Sequence, residues 1–131
     1  MRIITTKKIL ATTAGGLVAL GLCAAPASAK DGDVIRRGTC SAASVWKLKA
    51  GARDSGIEVE FEVDSNRVGQ TWNVQLSDNG TRIFSAQRVT QAPSGSFTAR
   101  KVTFNRAGTD TIVGTAQNAA TGETCRGSLT V

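Results

Sequence analysis

The chain has 131 residues, with 16 Lys and Arg against 10 Asp and Glu, a formal net charge of +6, and neither histidine nor tyrosine. That length is one domain's worth of chain. Without histidine the commonest general base and the usual zinc or copper ligand are missing, and serine or cysteine nucleophiles have no classical partner.

The first segment reads as an export signal. Arg2, Lys7 and Lys8 give a positive start, and no acidic residue precedes Asp31. Residues 9–25 are apolar and rich in Ala, Gly and Leu, and Ala27-Ser28-Ala29 supplies a small-x-small exit. That order marks a removed secretory signal, and cleavage is expected after Ala29. A retained anchor is the rival, but Thr12, Thr13 and several glycines weaken the apolar run as a membrane span. Lipidation at Cys23 is disfavoured because Leu22, not a small residue, precedes it. Cleavage removes three cations and leaves 13 basic residues against 10 acidic ones, a net +3. So mild a charge, with mixed signs, speaks for solubility rather than for nucleic acid or a membrane as partner. Residues 30–37 then form a short lead-in, and residues 38–131 the folded domain, expected as a monomer.

Two cysteines remain after cleavage, Cys40 and Cys125. In an exported chain such a pair is read as a disulfide. Closing a loop that takes in most of the domain stabilises by roughly 4–5 kcal/mol in the chain-entropy model. No Cys-x-x-Cys occurs, so a redox or metal pair is the poorer reading.

In chain order, turn signals fall at Asp54-Ser55-Gly56, Asn66-Arg67-Val68-Gly69, Asp78-Asn79-Gly80, Pro93-Ser94-Gly95, Arg106-Ala107-Gly108 and Thr121-Gly122. They divide the chain into seven segments of strand-like composition, with no helical periodicity after residue 30. In the first, Trp46, Leu48 and Ala50 share one face and Lys47 and Lys49 the other. In the second, Ile57, Val59, Phe61 and Val63 alternate with Glu58, Glu60 and Glu62, as a half-buried strand requires. A hairpin whose paired positions sum to 107 sets Trp46 opposite Phe61, Leu48 opposite Val59, Lys47 opposite Glu60 and Lys49 opposite Glu58. A slip of one residue would bury charge.

The third segment, Trp72-Asn73-Val74-Gln75-Leu76, alternates again and leads into Asn79-Gly80, the favoured pair for a type I′ turn. A two-residue loop there puts Ile83 beside Leu76 and leaves Phe84 outside; a three-residue loop with a bulge reverses the two. The remaining strands are expected over 96–105, 109–119 and 123–131. Gly114 marks a bulge or a close backbone approach. Together these predict an all-β, seven-stranded antiparallel immunoglobulin-like sandwich, with cysteines on the first and last strands and a bridge that ties the termini together.

No motif reaches the level of a catalytic or ligand-binding signature, and no cofactor or metal is expected. Glu58, Glu60 and Glu62 match the carboxyl pairs of glycosidases only in spacing, since an acid there needs an apolar pocket. A solvated charged face explains them better. No loop clusters enough oxygens for calcium. Asn79-Gly80-Thr81 matches the glycosylation acceptor pattern, but turn chemistry accounts for it. Trp46 and Trp72 lie on the apolar parity of their strands and read as core rather than as sugar platforms. The candidates for surface contact are Phe84 (or Ile83), Arg82 and Arg88.

The stretches Gly38-Thr39-Cys40-Ser41, Trp46-Lys47-Leu48-Lys49, residues 57–65, Gly69-Gln70-Thr71-Trp72, Pro93-Ser94-Gly95-Ser96-Phe97, Ala107-Gly108-Thr109-Asp110 and Thr121-Gly122-Glu123-Thr124-Cys125 carry a resemblance. Over nearly the whole domain the chain resembles a group of small exported actinobacterial proteins with an immunoglobulin-like β-sandwich and no assigned activity. The resemblance implies structural roles for turn glycines, core aromatics and the two cysteines, and no reaction.

Three functions follow as expectations. The first is a non-catalytic extracellular module that acts by surface contact with a protein or glycan. The second is an inhibitor of an extracellular hydrolase, presenting loop 65–70 or 90–96. The third, an enzyme using the glutamate face, has the least support.

Overall fold

A computed structural model describes residues 32–131; the signal-peptide reading falls outside them. The strands are β1 (Val34–Thr39), β2 (Val45–Arg53), β3 (Gly56–Asp64), β4 (Thr71–Asp78), β5 (Thr81–Val89), β6 (Ser96–Thr103), β7 (Thr111–Asn118) and β8 (Thr124–Thr130). They form two antiparallel sheets of four, in the orders β1-β2-β3-β6 and β5-β4-β7-β8. All six turn signals fall at or between strand ends, Gly56 opening β3 and Asp78 closing β4.

The strand count is eight, not seven. The second half of the expected lead-in belongs to β1, which pairs along β2 from Val34↔Ala50 to Thr39↔Val45. Its residues alternate poorly because it is an edge strand: Arg36 and Arg37 are exposed, as charges on a sheet edge commonly are. Asp33 fixes its start, with two hydrogen bonds from Arg53 of 2.9 and 3.1 Å. Cys40 consequently lies just past β1, in the turn closed by Cys40 N–H donating to Ser44 O, rather than within a first strand.

The β2–β3 hairpin keeps the expected faces but not the expected register. Pairs sum to 109: Trp46 faces Val63, Leu48 faces Phe61, Lys47 faces Glu62 and Lys49 faces Glu60. A two-residue shift preserves both the apolar and the charged face, so side-chain pattern alone does not choose between the registers. The turn chooses. Asp54 and Ser55 form the loop between Arg53 and Gly56, and Gly56 takes φ +142°, a conformation costly for other residues.

The two inner faces meet through rings seated on missing side chains. Gly114 and Gly127 pair across β7 and β8. A Cβ on Gly114 would lie 2.8 Å from the Phe61 ring, and one on Gly127 2.5 Å from the Trp46 ring. Gly38 meets the same indole from β1, at 2.6 Å. The close approach expected at Gly114 is thus to an aromatic ring of the opposite sheet. Trp46 is half-buried, and its Nε1–H donates to Thr39 O at 3.2 Å. Away from these rings, Trp72 of β4 is fully buried and meets Phe97 of β6 with centroids 6.2 Å apart.

The sheets leave two lateral seams, one where β1 approaches β8 and one where β5 approaches β6. Cys40 and Cys125 are bonded and close the first. Replacing both by alanine is expected to cost roughly 4–5 kcal/mol in urea unfolding of the processed protein. A cost below about 1 kcal/mol would show that the clip is dispensable. Gly114→Ala is expected to cost about 1–3 kcal/mol by overpacking. Adding Phe61→Leu should recover part of that loss, a non-additivity measurable in a double-mutant cycle.

Candidate functional site

On the outer face of β3 the three glutamates are less solvated than a free charged face would be. Lys49 Nζ lies 2.8 Å from Glu60, and their side chains keep only 10% and 14% of their exposure. Arg100 reaches Glu60 as well, while Arg53 lies 3.2 Å from Glu58. Burial alone would raise the Glu60 pKa. Hydrogen bonds from Lys49 and Arg100, with their charges, outweigh it and hold the carboxyl below the usual range. A general acid needs the opposite shift.

The residues expected to make surface contacts separate. Asn79 and Gly80 form the two-residue loop between Asp78 and Thr81, both at positive φ (49° and 83°), as a type I′ turn requires. A bulge follows: Ser77 pairs with Arg82 but Leu76 with Phe84, leaving Ile83 as the extra residue. Neither sequence alternative holds whole, because the short loop and the bulge coexist. Ile83 and Phe84 both become half-buried against the core. Arg88 covers Phe84, its guanidinium carbon 5.0 Å from the ring centroid, so this pair acts as a lid on the core edge. Arg82 remains exposed. Asn79 uses its side chain to brace the turn, accepting from Thr111 N at 2.8 Å and donating to Thr109 O at 3.2 Å.

Beneath that end of the molecule lies a buried carboxyl pair. Asp78 continues the inward parity of Trp72, Val74 and Leu76, and Asp110 that of Ile112; both are fully buried. Arg106 Nε lies 3.5 Å from Asp78 Oδ2. Asn105, in the amide orientation that satisfies both groups, donates to Asp110 Oδ2 over 3.2 Å. Burial first, then the hydrogen bond and charge of Asp110, push the Asp78 pKa up; Arg106 opposes them. Two carboxyls sharing a proton are the machinery of aspartic proteases, but here both are sealed from solvent and no substrate reaches them.

Above the pair, at the end of the β5/β6 seam, is an open groove of about 360 Å³. Arg82, Ile83, Lys101, Val102, Phe104 and Arg106 line it, together with Ser55, Thr81 and Thr103. Phe104 is 79% exposed and Val102 41%. Three cations and no carboxylate face the opening. Of these residues only Arg82 and Ile83 stand out in the sequence as candidates for contact. For Val102 and Phe104 the signal is parity, since Phe97 and Ala99 point inward from β6; Lys101, on the inward parity, and Arg106, beyond the strand, carry no such signal.

Elsewhere, a cleft of about 440 Å³ is lined by the turns at residues 41–44, 65–70 and 121–123. Its carboxylate is already engaged. Glu123 accepts from Ser44 N at 2.9 Å, Ser44 Oγ at 3.0 Å and Ala42 N at 3.2 Å, bracing the turn beside the disulfide.

Because the folded-state pKa of Asp78 is raised, its contribution to stability is full below the ordinary aspartate value of about 3.9 and is lost as pH rises through the folded value. Asp78→Asn removes that loss and still offers Asp110 a donor. The stability of this variant relative to the unsubstituted protein is therefore expected to climb from about pH 4 to pH 8 in urea midpoints. A pH-independent difference would show that Asp78 titrates normally.

Comparison of the chain with protein-family models, curated proteins and solved structures found no match.

Proposed function

We propose that this protein is a secreted, non-catalytic binding module with an immunoglobulin-like sandwich, which contacts an extracellular protein or glycan through the groove at the end of the β5/β6 seam. The observation that carries this reading is Phe104. A phenylalanine left in water forgoes roughly 1.5–3 kcal/mol of burial, and this one stands beside Val102 in a ring of cations. The disulfide is compatible with an oxidising environment and supports export with the leader removed. The strand orders, with β4, β7 and β8 in one sheet and β2, β3 and β6 in the other, support the immunoglobulin-like reading. They also fit the resemblance to small exported actinobacterial proteins.

Three observations favour binding over catalysis. The cysteines are bonded to each other, Glu60 is held ionised by two cations, and the carboxyl pair is sealed. The inhibitor alternative draws less support. Loops 65–70 and 90–95 fold onto one another, and the Arg67 carbonyl, which a protease would need to reach, accepts hydroxyls from Thr90 at 2.5 Å and Ser65 at 3.2 Å.

Phe104→Ser is expected to leave the thermal midpoint within about 2 °C, as surface substitutions usually do, and to lower retention on the native cell-wall and supernatant fraction at least tenfold. Val68→Ser, which alters an exposed apolar residue on another loop, should leave retention unchanged. Equal retention of the Phe104 variant would remove the groove from the reading.

A further inference from the structure

The contents of the groove narrow its occupant further, an inference that rests on the binding role just proposed. The cations there are of two kinds. Arg82 and Lys101 belong to the edge strands β5 and β6, where charges also serve to block pairing with other chains. Edge protection explains them as individuals. It does not explain Phe104, which works against solubility, nor the absence of any acidic side chain from the groove lining. On the neighbouring β3 face, Glu58 and Glu60 are already paired with Lys49, Arg53 and Arg100. With Arg106 turned toward Asp78, Arg82 and Lys101 still give the groove positive charge that no acidic lining residue balances, beside one bare aromatic face.

Three anionic partners have that complementarity, and the geometry separates them. An acidic peptide adding as a strand needs a run of free main chain. The groove sits where β5 begins at Thr81 and β6 ends at Thr103, so little ladder is on offer. An anionic membrane surface needs several large apolar residues to insert. Here only Val102 and Phe104 are exposed among the apolar lining residues, since Ile83 is half-buried against the core. A sugar ring needs a flat aromatic face for its C–H groups, hydroxyl partners for its own hydroxyls and donors for its charged substituent. Phe104 supplies the first, Ser55 and Thr81 the second, and Arg82, Lys101 and Arg106 the third. The volume of about 360 Å³ lies near the lower bound of small-ligand sites, enough for a short segment of a chain that continues past both ends.

We propose that the groove binds an acidic polysaccharide, one ring stacked on Phe104 and its anionic group held by Lys101, Arg82 and the free guanidinium edge of Arg106. Arg106 is the fixed member, because its Nε is anchored toward Asp78. Lys101 and Arg82 are exposed and close over the ligand.

The test uses the processed protein, purified with its disulfide intact, at about 0.15 M salt, where screening acts over roughly 8 Å. The probes are polygalacturonate oligosaccharides, the same oligosaccharides methyl-esterified to neutrality, poly-L-glutamate of similar length and phosphatidylglycerol vesicles. The expected result is binding of polygalacturonate that falls tenfold or more in Phe104→Ala and in Lys101→Glu, and no binding of the neutral ester. Poly-L-glutamate should bind at least tenfold more weakly and without regard to Phe104. The proposal is overturned if poly-L-glutamate matches polygalacturonate, if binding ignores Phe104, or if only the vesicles bind in a Phe104-dependent way. If no polysaccharide binds while Phe104→Ser still loses retention on the native fraction, the acidic-polysaccharide assignment falls and the binding module stands. If that retention is also unaffected, both fall.

Discussion

Two aromatic rings seated on glycine set the distance between the sheets, and much else depends on that contact. Protein interiors are close-packed, so a missing Cβ is a volume that something must fill. Gly114 and Gly127 face each other across β7 and β8, and the recess they leave takes Phe61 and Trp46 from the other sheet. Trp46 then reaches over Gly38 to the edge strand β1 and bonds the carbonyl of Thr39, one residue before Cys40. The indole thereby positions the β1–β2 turn next to β8. There the disulfide, the Glu123 brace and the Ser41–Thr124 main-chain contact reinforce one another. A wider spacing would leave the thiols apart and the turn unsupported.

The consequence is a molecule with unlike sides. At the β1/β8 seam, covalent and packing constraints coincide. At the β5/β6 seam Ile83 and Phe84 are half-buried plugs, with Arg88 laid over the second of them, and the main chain closes at one end through Gln91 N and Ser96 O. Edges that are not closed invite other chains, and here they carry arginine and lysine, which repel them. On a surface already obliged to carry cations, one exposed aromatic residue adds an apolar face to the positive charge.

Much of this was legible in the sequence. Strict alternation in residues 57–63 and 72–76, together with punctuation by Gly, Asn, Asp and Pro, located seven of the eight strands and all six turns. The cysteine pair followed from compartment logic. What was not legible shares a cause: each feature depended on neighbours distant in the chain. The two-residue shift of the β2–β3 register left every face unchanged, so only the turn at Asp54-Ser55 could set it. β1 has the composition of a charged linker and becomes a strand because β2 presents it an edge and Arg53 holds Asp33. The bulge at Ile83 turns a choice between two outward residues into two inward ones. The groove itself gathers residues from β5, β6, the β6–β7 loop and the β2–β3 turn, a juxtaposition with no signature in any one segment.

The loop that carries Phe104 is the last step. Exposed apolar side chains are common and usually mean little; the weight of this one depends on whether its backbone is held. Residues 104–110 are tied at several points. Asp110 exchanges two main-chain hydrogen bonds of 2.9 Å with Val131, Thr109 O accepts from Asn79, and Arg106 leans on Asp78. Burying two carboxyls to provide such anchors is costly, and an apolar pair of similar size would serve stability better. Apolar residues at 78 and 110, however, would leave Arg106 without its ion-pair partner, while the main-chain ties of Asp110 to Val131 and of Thr109 to Asn79 would stay. The sealed pair and the bare ring thus meet through Arg106, whose Nε faces Asp78 on the inside while the residue lines the groove with Phe104 on the outside.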